Sequence, residues 1–285
     1  MKVYSVIGYV LITLHLSAGG FAAPEGWGFL LGAGGALAYL LFIWFVGGMY
    51  VSNILHMGVA HKTLEFRGWF VKSVTVVFNV AGIYINPVTW VNRHRHHHAF
   101  SDHEGDPHKL AGDGFWKTLY LCAFPYACKA NLAKDAVLKS RTFRMVSNPY
   151  FAVGAQFSSF GLLWLAAGDW VYALALWVSA RLSALWINMI QNYWSHDRRF
   201  GTRRYDNPED DAMNIGEWFP VTASFSSSLQ NNHHHEPNFL RNSHDPAEYD
   251  FGFMTVRALS ALGLVRPTST GARMPDGVAL QEVGF

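Results

Sequence analysis

Charge is scarce in this chain of 285 residues: Asp, Glu, Lys and Arg together make up 15% of it, against roughly a quarter in soluble domains. So little charge argues against an ordinary soluble domain and points to the bilayer. Basic residues are also missing from particular places. Of the 22, all except Lys2 and Arg181 fall in 61–148 or 193–285. No stripe of them interleaves with exposed aromatics, which argues against nucleic-acid binding. Cysteine is nearly absent. Cys122 and Cys128 are spaced C-x5-C in an apolar stretch, which suits neither a zinc motif nor, in a reducing cytoplasm, a structural disulfide. They read as packed thiols. There is no internal repeat and no fused electron-carrier domain.

What is abundant is apolar: 51% hydrophobic and 15% aromatic residues. Hydropathy predicts two pairs of membrane segments, roughly Val3–Ala22 with Trp27–Ile54 and Tyr150–Ala167 with Trp170–Gln191, each near the ~20 residues a span requires. The connectors GGFAAPEG and AAGD carry no Lys or Arg, so the positive-inside rule places 61–148, 193–285 and both termini in the cytoplasm. Met1–Lys2, the apolar run and the small residues near Ala22–Ala23 also fit a cleaved secretory leader, which would leave that sidedness unchanged.

Trp69–Val91 is about long enough to cross but is interrupted by Lys72, Asn79, Asn86 and Pro87. It reads as a re-entrant or interfacial helix pair, because crossing would put His61 and His94 on opposite faces. Phe115–Tyr126 is too short to span and reads the same way. Asn131–Asn148 is basic and amphipathic, suited to anionic head groups. Arg181, inside the fourth span, is either capped by carbonyls or an acidic residue within the bundle or turned to a polar part of the site or substrate. Residues 1–265 form one domain, and 266–285, rich in Pro, Gly, Ser and Thr, read as a disordered tail.

Fourteen histidines are present. Eight fall into four blocks: HMGVAH (His56, His61), HRHHH (His94, His97, His98), NYWSH (His196) and QNNHHH (His233, His234). Spacings of three and four put side chains on one helical face, so the last three blocks can aim at one point. His56 and His61 are less tidy, since five α-helical steps leave them well apart around the axis; they can still flank a site at a frayed helix end. Imidazole suits iron, copper, zinc and nickel, and this many imidazoles would saturate one ion, so two metals are the economical reading. A His-rich metal-buffering loop is the bland alternative, but such tracts are low-complexity, whereas these blocks are dispersed with distinct flanks.

The chain resembles the integral-membrane acyl desaturases, and within them the stearoyl-CoA desaturase type, from about Val51 to Val265. The shared signals are HxxxxH; HRxHH followed by SDHEGDPH and GFW; NxxxH followed by GxRxYD; NNHHxxP; and EYxxxxxxT with a terminal LGL. This resemblance implies an all-α integral-membrane fold, four transmembrane helices under a cytoplasmic helical cap holding a histidine-rich di-iron site. It implies as ligands His56, His61, His94, His97, His98, His196, His233 and His234, with Asn192 joined through a water. The family's ninth histidine falls on Gln230, a departure that puts the coordination of one iron in doubt. His96, His103, His108, His235 and His244 are then supporting, surface or substrate-facing residues, and His15 packs within the first span.

The expectation is a dioxygen-dependent desaturase that uses two iron ions to insert a double bond into a fatty acyl chain. That chain would be linked to CoA, a carrier protein or a lipid. Electrons would come from a donor such as a ferredoxin or a b-type cytochrome with its reductase. The rivals are a di-iron acyl or alkyl hydroxylase on the same scaffold and a metal-binding or transport protein. A transporter would place its ligands near the midplane of the spans, whereas these flank them. Arg198, Arg199, Arg203 and Arg204 are candidates to bind an anionic substrate head or an acidic donor, with a plain solvated, positive-inside flank as the alternative.

Overall fold

The computed structural model describes residues 2–107, 114–126, 128–208 and 210–268. Among the described residues, four helices are long and apolar enough to cross a membrane, with mean hydropathies of 1.4, 2.1, 1.3 and 1.4. They are α1 (Val3–Phe21); α2 (Phe29–Gly48), which continues as a π-helix over Met49–Ala60; α7 (Pro149–Ala167); and α8 (Trp170–Asn192), which runs into a 3₁₀ turn at Trp194–His196. Their outer faces carry large exposed apolar residues such as Leu30, Leu165 and Val10, as expected where lipid replaces water.

Small residues bring α1 and α2 together. A Cβ on Gly19 would meet that of Ala36 at 2.4 Å, and one on Gly32 would meet the Gly19 carbonyl at the same distance, close approach being the main source of helix adhesion in lipid. His15, fully buried, spans three helices: one ring nitrogen lies 2.8 Å from the Ala36 carbonyl and the other 2.6 Å from the Ser179 hydroxyl. Arg181 donates to the carbonyls of Trp177 (3.0 Å) and Gln156 (3.3 Å) and to the Ser159 hydroxyl (3.2 Å), and lies 3.8 Å over the Trp177 ring. It is therefore a brace between α7 and α8, capped within the bundle.

Between the span pairs the chain builds the cap. The 69–91 stretch is two helices, α3 (Gly68–Ala81) and α4 (Pro87–Phe100); at 1.5 Å per residue each is ~21 Å long, short of the ~30 Å hydrocarbon core. The break is written in side chains. Asn79 accepts from the Ile85 amide at 2.7 Å, and Asn86 caps α4 by accepting from Val88 and Thr89, with Pro87 at the first helical position. Helix α5 (Gly114–Ala123) packs Phe115, Leu119 and Cys122 toward α8, and both cysteines are unbridged. In the basic stretch, a 3₁₀ turn (Val137–Lys139) and α6 (Arg141–Val146) bury Leu138, Phe143 and Val146 while exposing Lys134, Lys139, Arg141 and Arg144.

Short helices α9 (Trp218–Ala223), α10 (Gln230–His235) and α11 (Phe251–Ala261) complete the cap. Two strands, β1 (Leu64–Phe66) and β2 (Val265–Pro267), pair antiparallel, joining the exit of the second span to the end of the described chain. Thr268, the last described residue, donates its amide to the Thr63 carbonyl at 2.9 Å. The rest of the expected 266–285 tail lies outside the described residues.

Candidate metal centre

The second span carries His56 and His61 by an unexpected winding. The His61 amide donates to the His56 carbonyl at 3.0 Å, an i→i+5 bond that closes a π turn. Residues five apart then lie over one another, and the two rings sit 4.8 Å apart by centroids. The expectation that five steps would set this pair well apart around the axis holds for an α-helix, and it is π winding rather than a frayed end that lets them flank one site.

Helix α4 presents His94 and His98 on one side and His97 on the other. The turn after α8 supplies His196. Helix α10 supplies His233 and His234, and buried polar groups fix its seat. Phe225 and Ser226 adopt left-handed φ of 52° and 66°, and the Ser226 hydroxyl accepts from the Gly252 amide at 3.0 Å, where a Cβ would strike the Phe225 carbonyl at 2.5 Å. Asn231 accepts from the Arg204 and Tyr205 amides, both at 2.8 Å, and Asn232 donates to the Asn242 carbonyl and Glu248, both at 2.9 Å.

Together these elements converge eight rings into two adjacent groups. His56, His61, His94, His98 and His233 form one, and His97, His196 and His234 the other; within each group the ring nitrogens lie within 4.8 Å of one another. Nε2 atoms face Nε2 atoms: His61 to His94 at 2.7 Å, His56 to His233 at 2.9 Å, His98 to His233 at 3.0 Å, and His97 to His234 at 3.2 Å. His196 Nε2 and His56 Nδ1 are buried with no partner among the described residues. A neutral imidazole has one donor and one acceptor nitrogen, so rings facing this way leave lone pairs that a cation would satisfy. The donor set fits a first-row metal.

The second group is backed by carboxylates. His97 Nδ1 donates to Asp106 (2.9 and 3.0 Å), His196 Nδ1 to Asp102 (3.0 Å), and His234 Nδ1 lies 3.4 Å from Asp210 and 3.2 Å from the Ser101 hydroxyl. Such bonds fix the tautomer and leave Nε2 free to bind metal. Burial alone would raise the Asp102 carboxyl, but His196 and the Asp211 amide hold it well below its usual range. Burial, reinforced by neighbouring imidazoles, pushes His61, His94, His98 and His233 well below the usual imidazole range and, with His97 and His196 alongside, takes His234 to about 4. These rings are neutral at pH 7, which is the metal-binding form.

Gln230 is buried, with its amide nitrogen on the Ser227 carbonyl. The Asn192 amide nitrogen donates to the Asn188 carbonyl at 2.9 Å. His96 lies against the Ala130 carbonyl, His103 against that of Ser101, His244 against the Tyr205 hydroxyl, and His235 stacks on Tyr205 at 3.7 Å. His108 lies outside the described residues. The arginine run is occupied internally: Arg198 pairs with Asp211, Arg199 with Asp197, Arg204 with Asp245 (3.2 Å), and Arg203 donates to the Asp210 carbonyl (2.9 Å). Sequence reasoning gave no role to Asp102, Asp106 and Asp210; the only trace was acidic residues following α4 and in PEDDA.

Four apolar spans beneath a cap that gathers eight histidines define an integral-membrane protein with a histidine-rich metal site. Residues 26–248 match the fatty acid desaturase family, to which this chain belongs. It is a fatty acyl desaturase. Among its curated relatives are an sn-1 stearoyl-lipid 9-desaturase of Anabaena variabilis (27% identical, covering 83% of each chain), Delta-9 acyl-lipid desaturase 2 of Arabidopsis thaliana (24%; 80% of this chain and 73% of the relative), and an sn-2 palmitoyl-lipid 9-desaturase of Nostoc sp. (strain 36) (26%; 81% and 80%).

Proposed function

We propose that this chain is a dioxygen-dependent desaturase acting on an acyl chain esterified to a membrane lipid, with two iron ions as its cofactor. The convergence of eight imidazoles into two adjacent groups carries the reading. His56, His61, His94, His98 and His233 would hold one iron. His97, His196 and His234 would hold the other, with Asn192 contributing through a water and Gln230 at the ninth position. When bound, the irons supply an oxidant drawn from dioxygen, which removal of hydrogen from an unactivated methylene requires.

The chain's own part is to hold and to exclude. Asp102, Asp106 and Asp210 orient three rings and keep their protons on Nδ1. Burial of the rings keeps water from them, and the reacting carbons of the acyl chain must be held still beside them. The lipid-linked substrate is supported by the relatives, several of which bear acyl-lipid or stearoyl-lipid 9-desaturase names. A ferredoxin or a b-type cytochrome with its reductase would supply electrons. Residues 1–265 would act as one domain, with cap and termini in the cytoplasm.

Expression in a host that makes only saturated acyl chains tests this. Mass spectrometry of its lipids should reveal an acyl chain unsaturated at carbon 9, absent with His97→Ala. Hydroxylated chains alone would favour the hydroxylase, and stoichiometric zinc without iron in an active preparation would defeat the cofactor assignment.

A further inference from the structure

Beside the second histidine group sits a cation that the site as described does not use. Arg93 precedes His94 on α4 and lies one turn before His97, so it shares the His97 side of that helix. Arg93 is 8% exposed, and its Nε and Nη2 are buried with no hydrogen-bond partner among the described residues. Around the guanidinium are the Tyr126 ring, 5.8 Å away, and the thiols of Cys122 and Cys128. Burial pushes the Cys122 thiol up to about 12, so it carries no charge to offset Arg93. The field of the Asp106 carboxylate reaches Arg93, but both its oxygens bond His97, and one also accepts from the Asp102 amide at 2.8 Å.

A guanidinium enclosed without an acceptor is costly, since its attraction to a partner normally offsets desolvation. Arrangements of this kind persist where a ligand brings the acceptor. The substrate class proposed above has one oxygen-rich end, the head of its acyl chain; the rest is hydrocarbon. A planar fork of N–H donors suits ester or phosphate oxygens, to which charge-assisted bonds are the stronger kind.

We propose that Arg93 binds the oxygen-bearing head of the acyl substrate through Nε and Nη2, fixing how far along the chain the histidine groups act. This rests on the acyl-lipid reading. It makes Arg93 a specificity residue: losing the anchor lets the chain slide and blurs the position of the double bond.

The test compares wild type, Arg93→Met and Arg93→Lys with two probes, a stearoyl galactolipid that lacks phosphate and a stearoyl phospholipid. Affinity is read by displacement of a fluorescent stearoyl lipid in micelles. Bound metal, melting temperature and the distribution of double-bond positions are read alongside. The Met variant should bind roughly 10- to 100-fold more weakly, with KM rising more than kcat falls, scattered product positions, and unchanged metal and melting temperature; Lys should restore part. Weakening with both lipids assigns the ester carbonyl, and weakening with the phospholipid alone assigns the phosphate. Equal affinity of wild type and Met variant for both probes overturns the proposal, as does loss of metal in the Met variant, which would mark a structural brace. Wild type that binds a probe without desaturating it defeats the acyl-lipid function while the affinity comparison still judges Arg93, and wild type that binds neither overturns both.

Discussion

Asp106 accepts from His97 Nδ1 while closing the turn after α4 through the Asp102 amide, so orientation of a ring and shape of a loop depend on one carboxylate. Replacing it by Asn keeps the size and an acceptor oxygen but removes the charge that favours the Nδ1–H tautomer. Asp106→Asn should weaken metal binding on the order of 10- to 100-fold without loss of helix, read by competition with a graded chelator; unchanged affinity would remove Asp106 from the site's support. Gln230 is the second residue of interest. An amide oxygen is a poorer donor than imidazole, so Gln230→His should retain metal and activity, whereas Gln230→Ala should lose most turnover with partial loss of metal. An alanine variant matching wild type in metal, rate and products would place Gln230 outside the coordination sphere. At this scale the eight histidines were legible because imidazoles at helical spacing are rare. The carboxylates were not: Asp102 meets His196 across 94 positions, and no local pattern announces such a pairing.

The π segment governs how the second span enters the site. Met49–Ala60 is buried except at Val51 and Gly58, so its sequence has no alternation of apolar and polar positions from which winding can be read. That is why spacing alone left His56 and His61 at odds. Deleting Gly58 would shorten the pair to i,i+4, the spacing of an α-helix, and would also alter the turn leading to β1. We expect that variant to insert with all four spans yet bind the first metal at least tenfold more weakly, by analogy with lost orienting groups; elemental analysis of purified protein decides. The neighbouring corner was legible for the opposite reason. Asn79, Asn86 and Pro87 each break or start a helix by a local hydrogen bond or a missing N–H, so the interruption of 69–91 was legible locally, while the reading that the stretch does not cross rested on His61 and His94 sharing one site.

Sidedness belongs to the whole molecule. The two short connectors lack cations, and the cap carries nearly all of them. A cysteine introduced at Glu25, on the first connector, should therefore be labelled by an impermeant thiol reagent in intact cells, while one at Lys129, exposed on the cap, should react only after permeabilisation; Cys122 and Cys128 are first replaced by Ser. Labelling at position 129 in intact cells would invert the topology. Hydropathy disclosed the spans at this scale but not their contents. Arg181 was ambiguous in sequence, because whether a cation in a span faces a site or a neighbouring helix depends on which helices adjoin it.

Adjacent residues on a helix diverge by about 100°, and the chain does this twice. His97 and His98 send their rings to different groups, as do His233 and His234. Helix α4 therefore carries two rings of the first group and one of the second, and α10 one of each, so if each group holds a metal, ordering either helix for the first ion sets its rings for the second as well. The two ions should load cooperatively, with a half-filled species scarce at every concentration. Stepwise addition of ferrous iron to chelator-stripped protein, followed by native mass spectrometry, would show mainly empty and doubly filled chains; a dominant singly filled population at half saturation would mean that the groups fill independently.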